Sequence, residues 1–170
     1  MREKTGVIVS VVMGSDSDLS IMEEAVKVLA DFEIPHELFL TSAHRTPERT
    51  TAFARGAAKR GVRVIIVGAG AAAHLAGVIA AQTALPVIGV PIDATSLQGL
   101  DALLATVQMP GGIPVATMAI GKAGAMNAAL FAVRILAAEN ADLQKKLHAH
   151  VRKMAQEVER KHENLKCQSS

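Results

Sequence analysis

Tryptophan and tyrosine are absent from this sequence, and phenylalanine occurs only four times in 170 residues. Single-stranded nucleic acids are gripped on aromatic platforms, so a chain this poor in rings is excluded from that class. Strong charge of either sign is missing too. A net charge of +2 gathers no polyanion, and no nucleic-acid partner is expected. The one cysteine, Cys167, lies in the polar C-terminal stretch. It supplies neither a disulfide framework nor a CxxC metal pair, and a reducing cytoplasm fits. Apolar runs are broken by Gly, Pro or polar residues before reaching the roughly 20 residues of a bilayer span, so no membrane is expected. The N-terminus, Met1-Arg-Glu-Lys-Thr5, enters a strand directly, without the apolar core and cleavage site of a signal peptide. Half of the residues are apolar, and a chain of this length buries roughly 70 % of its unfolded surface. A soluble cytoplasmic protein is expected, with a single domain over residues 1–166 and a frayed tail over 167–170.

Five β-branched or apolar runs of strand length alternate with helical patterns: Val7–Met13, His36–Leu40, Val62–Val67, Val87–Val90 and Val115–Ile120. The helices are read from Asp18 to about Phe32, Pro47 to Arg60, Ala72 to Thr83, Ser96 to Val107 and Ala125 to Ala138. Strands alternating with helices build a parallel sheet with right-handed crossovers. The fold class is α/β, a three-layer αβα sandwich with a flavodoxin-like five-stranded sheet in the order 2-1-3-4-5. An extra C-terminal helix spans about 140–166, with Leu143, Leu147, Val151, Met154 and Val158 in a narrow stripe. That stripe needs a surface to cover it, on this domain or on a neighbouring subunit. Alanine clusters in 69–84 and 123–138, which suits tight helix packing and equally reflects helix propensity.

In the 2-1-3-4-5 order the chain reverses between strands one and three, and the crevice at the strand ends binds ligands. Three turns wall it: Gly14–Asp18, Ser42–Arg45 and Gly68–His74. The second carries a hydroxyl (Ser42), a titratable imidazole (His44) and a fixed cation (Arg45), just before Thr46-Pro47-Glu48, a helix start with Thr46 as N-cap. Backbone N–H groups at a helix start, with Ser15, Ser17, Ser42 and Arg45, make a site for a phosphate monoester. Neither GxxxxGK[ST] nor GxGxxG is present, so a nucleoside triphosphate or dinucleotide is not indicated. Asp18 is either an N-cap or a ribose hydroxyl acceptor. Ser20-x-x-Glu23 offers a competing capping box. His74 either binds substrate or caps the third helix. His148 and His150 diverge on a helix, and no carboxylate pair or HxxxH lies beside His44, so no metal is expected. No GxSxG nucleophile elbow occurs.

Six ordered motifs carry a family resemblance: Gly14-Ser-Asp-Ser-Asp18, Ser42-Ala-His-Arg-Thr-Pro47, Gly68-Ala-Gly70 with Ala72-Ala-His-Leu75, Gly89-Val-Pro91, Val107-Gln-Met-Pro-Gly-Gly-Ile-Pro114, and Ala119-Ile-Gly-Lys-Ala-Gly124 with Asn127-Ala-Ala129. Together they resemble the 5-(carboxyamino)imidazole ribonucleotide mutases of purine biosynthesis, over roughly Val7 to Leu136. The resemblance implies that a carbamate on the exocyclic amine becomes a carboxylate on the ring carbon, without ATP, metal or any other cofactor. It implies that Ser15, Asp18 and Arg45 hold the ribonucleotide, with Ser42 beside its phosphate and Ser17, Gly70, Ala71 and His74 completing the site. It makes His44 the general acid and base, protonating the carbamate nitrogen and later removing the ring proton, in a closed site that retains carbon dioxide. It also implies a homo-octamer. A second branch of the family carboxylates aminoimidazole ribonucleotide directly. That branch carries Lys after the His and lacks the AAHL segment, whereas Arg45 and His74 stand here. A non-catalytic nucleotide-binding domain is the remaining alternative. The mutase turn GAGGAAHLPG reads here with Ala71 for a Gly and Ala76 for a Pro, which can reposition the loop without removing an acid–base group.

Overall fold

The β-branched runs form strands with both faces covered, and the turns between them gather at one end of the sheet. A computed structural model describes residues 6–168, so the first five residues and Ser169–Ser170 lie outside the described residues. The strands are β1 (Val9–Met13), β2 (His36–Leu40), β3 (Val64–Gly70), β4 (Val87–Ile92) and β5 (Ala116–Thr117). All pair in parallel, in the order β2-β1-β3-β4-β5. The helices are α1 (Leu19–Asp31), α2 (Pro47–Ala57), α3 (Leu75–Ala80), α4 (Leu100–Val107), α5 (Lys122–Ala137) and α6 (Ala141–Gln168). The fold is the expected flavodoxin-like αβα sandwich with an additional C-terminal helix.

By compactness the chain separates into residues 1–132 and 133–170. In the first unit, Val9, Val11, Val12, Val64, Ile65 and Ile66 are wholly buried, as a parallel strand covered on both faces requires. Val12, Ile65, Val67 and Val87 pack with Phe53, Ala57, Leu75, Ile79 and Ala102, which places α2, α3 and α4 on one face. On the other face α1 presses Met22 onto Gly68, where an added Cβ would collide with the Met22 sulfur. Lys122 acts electrostatically on Glu24, so the start of α5 stands beside α1. The β2 edge is half exposed and is tied in by Glu37, whose carboxylate accepts from Arg60 at 2.7 and 2.9 Å and from the Ser10 hydroxyl at 2.7 Å.

Several boundaries differ from the sequence reading. The Gly68–Gly70 segment, read as a turn, continues β3, because its small residues let Met22 and the loop after β4 approach the backbone. Pro91 does not stop β4. The Gly89 and Pro91 carbonyls both face the β5 side, accepting from Met118 and Gly121, so the missing Pro91 N–H lies where no strand needs it. The helix read over 72–83 is only Leu75–Ala80, and the one read from Ser96 begins at Leu100 after left-handed Gln98 and Gly99. Strand five shrinks to two residues, and Gly121–Gly124 is largely helix, α5 starting at Lys122. In the second unit, the Asn140 side chain caps α6 by accepting from the N–H groups of Asp142 and Leu143, both at 3.1 Å.

Candidate active site

The carboxyl ends of β1, β2 and β3 open into a cleft of about 460 Å³. Three turns line it: Gly14, Ser15, Ser17 and Asp18 after β1; Ser42, Ala43, His44 and Arg45 after β2; Ala69, Gly70, Ala71, Ala72 and Leu75 after β3 and into α3. Ala94, from the loop after β4, closes the fourth side. The strand order thus brings together Ser15, Ser17, Asp18, Ser42, His44, Arg45, Gly70 and Ala71, as expected at the switch point. His74 joins them through His44.

The first turn is built on a capping box, and not the one read at Ser20 and Glu23. The Ser15 hydroxyl accepts from the Ser17 N–H at 3.3 Å, and the Asp18 carboxylate accepts from the Ser15 N–H at 3.1 Å, around a short 3-10 turn over Asp16–Asp18. Asp18 occupies the N-cap position of α1 but makes no side-chain cap there. The residue is buried, 5 % exposed. Burial is the largest influence on it and pushes its pKa above 3.8, against the lowering effect of hydrogen bonds from Ser15, Ser17 and Gly14.

The second turn hangs on hydroxyls. Thr46, read as the N-cap of α2, stands at that position but makes no side-chain cap bond to the helix. Its hydroxyl accepts from the Ser42 N–H at 2.9 Å and donates to the Ser42 carbonyl at 3.1 Å. Thr41, buried at the end of β2, reaches Thr46 Oγ1 at 3.1 Å and buried Thr50 Oγ1 at 2.9 Å. This chain pins the loop that presents Ser42, His44 and Arg45. Arg45 in turn links two turns, donating from its guanidinium to the Gly14 carbonyl at 3.1 Å and from its backbone to Ser42 Oγ at 3.2 Å.

The third turn puts His74 against His44. His44 Nε2 lies 3.0 Å from His74 Nδ1, with the rings edge to face at 82°. One nitrogen donates and the other accepts, so a single ring proton is shared between the two imidazoles. His74 stands at the N-cap position of α3 without a side-chain cap, so capping is not its role. Ala71 adopts φ 52°, a left-handed conformation that costs a Cβ-bearing residue about 1 kcal/mol. Among the described residues, no group of three or more His, Cys, Asp or Glu is placed to hold a metal ion.

The site therefore combines a histidine pair at the rim, a buried carboxylate, serine hydroxyls and an arginine around one cleft. The AIR carboxylase family pattern matches residues 8–157, which include all three turns. The chain belongs to this family.

Relatives in the AIR carboxylase family carry names with chemistry in them. An N5-carboxyaminoimidazole ribonucleotide mutase of Pyrococcus horikoshii is 52% identical over 158 residues, 93% of this chain and 88% of that protein. The mutase of Bacillus subtilis is 53% identical over 140 residues, 82% of this chain and 86% of that protein. The phosphoribosylaminoimidazole carboxylase of Saccharomyces cerevisiae is 51% identical over 89% of this chain, which spans 26% of that longer protein. Among solved structures, PurE of Treponema denticola superposes with a TM-score of 0.80 at 27% identity, over 89% of this chain and 93% of that one.

The sequence places Thr41 at the end of the second strand, in the stretch Thr41–Glu48, but gives it no role, and it does not mark Thr50, Leu75 or Ala94 at this cleft. The bonds of the Thr41 hydroxyl to Thr46 and Thr50 form only once β2 and α2 are joined at this angle. Ala94 comes from the strand-four loop, which the switch-point rule does not select.

Proposed function

We infer that this chain is a mutase of purine biosynthesis, converting 5-(carboxyamino)imidazole ribonucleotide into 5-amino-4-carboxyimidazole ribonucleotide. The observation that carries the reading is a titratable His44 at the mouth of a nucleotide-sized cleft, in a chain more than half identical to named mutases over most of its length. In the proposed reaction, His44 donates a proton to the carbamate nitrogen as the C–N bond breaks, leaving the amine and carbon dioxide. The ring carbon, electron-rich through the neighbouring amine, forms the new C–C bond. Neutral His44 then takes the ring proton, so the histidine ends as it began and no ATP is consumed.

Four further assignments support that chemistry. Ser15, Ser17, Ser42 and Arg45 hold the phosphate end, Asp18 accepts from a ribose hydroxyl, and Gly70 and Ala71 let the ring lie close to backbone. His74 is a positioning residue: its 3.0 Å bond fixes the His44 ring over the cleft before substrate arrives. The protein works in the cytoplasm as a homo-octamer. Supporting the assembly, Leu97, Leu100, Leu104 and Val107 are 48–60 % exposed in the isolated chain, and Val151, Met154 and Val158 of the α6 stripe are 45–65 % exposed.

Two assays on purified protein, without ATP or added metal, test the reading. One starts from the carboxyamino ribonucleotide, the other from aminoimidazole ribonucleotide with bicarbonate. Rapid conversion of the first is expected. Turnover of the second alone would make the chain a direct carboxylase, and turnover of neither would leave a nucleotide-binding domain.

A further inference from the structure

Beside the main cleft lies a second cavity of about 410 Å³, which shares Ser15, Ser42 and Arg45 with it and continues to Arg49 on the first turn of α2. The two differ in character. The main cleft holds His44, Asp18 and the small residues after β3, whereas the second holds two guanidinium groups. Asp16, the one acid there, has a carboxylate oxygen engaged by the Ser15 hydroxyl at 3.2 Å and the Ser17 N–H at 3.1 Å.

Arg45 alone is a poor match for a phosphate monoester. Part of its guanidinium is committed to the Gly14 carbonyl and approaches Ser42 Oγ, and a monoester carries about −1.5 to −2 charges at pH 7. Arg49 is differently placed. Its guanidinium lies 5.0 Å from the centre of the Phe39 ring, and that ring stacks on Phe53 at 4.4 Å, so the cation rests on a support anchored in the core. Among the described residues no carboxylate or carbonyl takes its N–H donors. An exposed guanidinium braced on a ring, with its planar donor fork available, is well suited to a phosphate.

We propose that Arg49 is a substrate-binding residue, the second cation of a phosphate subsite that occupies this side cavity. The ribonucleotide then lies across both cavities, its 5′-phosphate between Arg45 and Arg49 and its imidazole under His44. This deepens the reading above and rests on it for the identity of the sugar phosphate.

Calorimetric titration of the full chain with inorganic phosphate and with ribose 5-phosphate tests the proposal. Arg49→Met keeps an unbranched chain of similar reach on Phe39 and removes the charge, and Arg49→Lys restores the charge. The methionine variant is expected to weaken both ligands about tenfold, with the lysine variant recovering most of the loss. In the mutase assay its defect falls mainly on KM. Unchanged affinity for both ligands in Arg49→Met overturns the proposal. So does a loss confined to inorganic phosphate, which would mark a free-anion site and not a nucleotide subsite. Wild-type turnover, measured in parallel, reports separately on the mutase reading: its absence would refute that reading, while the titrations still decide the role of Arg49.

Discussion

Asp18 and Ala71 are strained residues that the cleft retains. Asp18 is buried and its carboxyl titrates above 3.8 because desolvation outweighs its hydrogen bonds. The folded state therefore holds this proton to higher pH than the unfolded chain does. Its contribution to stability is present at low pH and is lost as the pH rises from 3.8 to the raised value. Asp18→Asn has no proton to lose, so denaturant unfolding at a series of pH values should show the variant gaining on wild type across that window. Ala71 holds φ 52° in a segment secured by short backbone bonds, Ala73 N–H to the Ala71 carbonyl and His74 N–H to the Ala72 carbonyl, both 2.8 Å. Ala71→Gly should stabilise the protein by about 1 kcal/mol, read as a higher Tm. An unchanged or lower Tm would mean that the loop, not the Cβ, sets that conformation.

The β2–α2 connection is the element on which the site depends most. Its hydroxyl chain through Thr41, Thr46 and Thr50 holds the loop that carries Ser42, His44 and Arg45. Thr50→Val keeps the shape, removes the buried hydroxyl and leaves Thr41 short of a partner. It should cost about 1–2 kcal/mol, measured by denaturant unfolding. At this scale the strands were the most legible features. The expected His36–Leu40 strand has the observed bounds, with Pro35 before it and the Thr41–Arg45 turn after it marking both ends. The third strand outruns its expected end: Gly68 and Gly70 resemble turn punctuation in the sequence, but their missing side chains make room for Met22 and Ala94. Helices α3 and α4 are shorter than expected, because runs of Ala and Leu favour helix wherever they stand. In both segments the backbone instead turns at left-handed residues, Ala71 before α3 and Gln98-Gly99 before α4.

For the whole molecule, strand order is what converts sequence motifs into a site. Serines, an aspartate, a histidine and an arginine spread over residues 15–45 become neighbours because β1 and β2 pair side by side, and His74 arrives because β3 pairs on the other side of β1. That much followed from the alternation of elements. The histidine pair did not, since a 3.0 Å contact between rings 30 residues apart needs the actual turn geometry. The exposed leucines of the α4 region belong to this scale as well. Under the proposed assembly, Leu100→Asp should lower the sedimenting mass without lowering the helical signal in circular dichroism. An unchanged mass would place the subunit contacts elsewhere.

The central claim is that His44 carries the proton in a mutase reaction. Its most direct test is single-turnover conversion of the carboxyamino ribonucleotide by wild type and His44→Asn, each saturated with substrate. A hundredfold or greater loss of rate, with nucleotide binding largely kept, is the predicted result. A variant that retains more than about a tenth of the rate, a barrier change under roughly 1.4 kcal/mol, would contradict the claim.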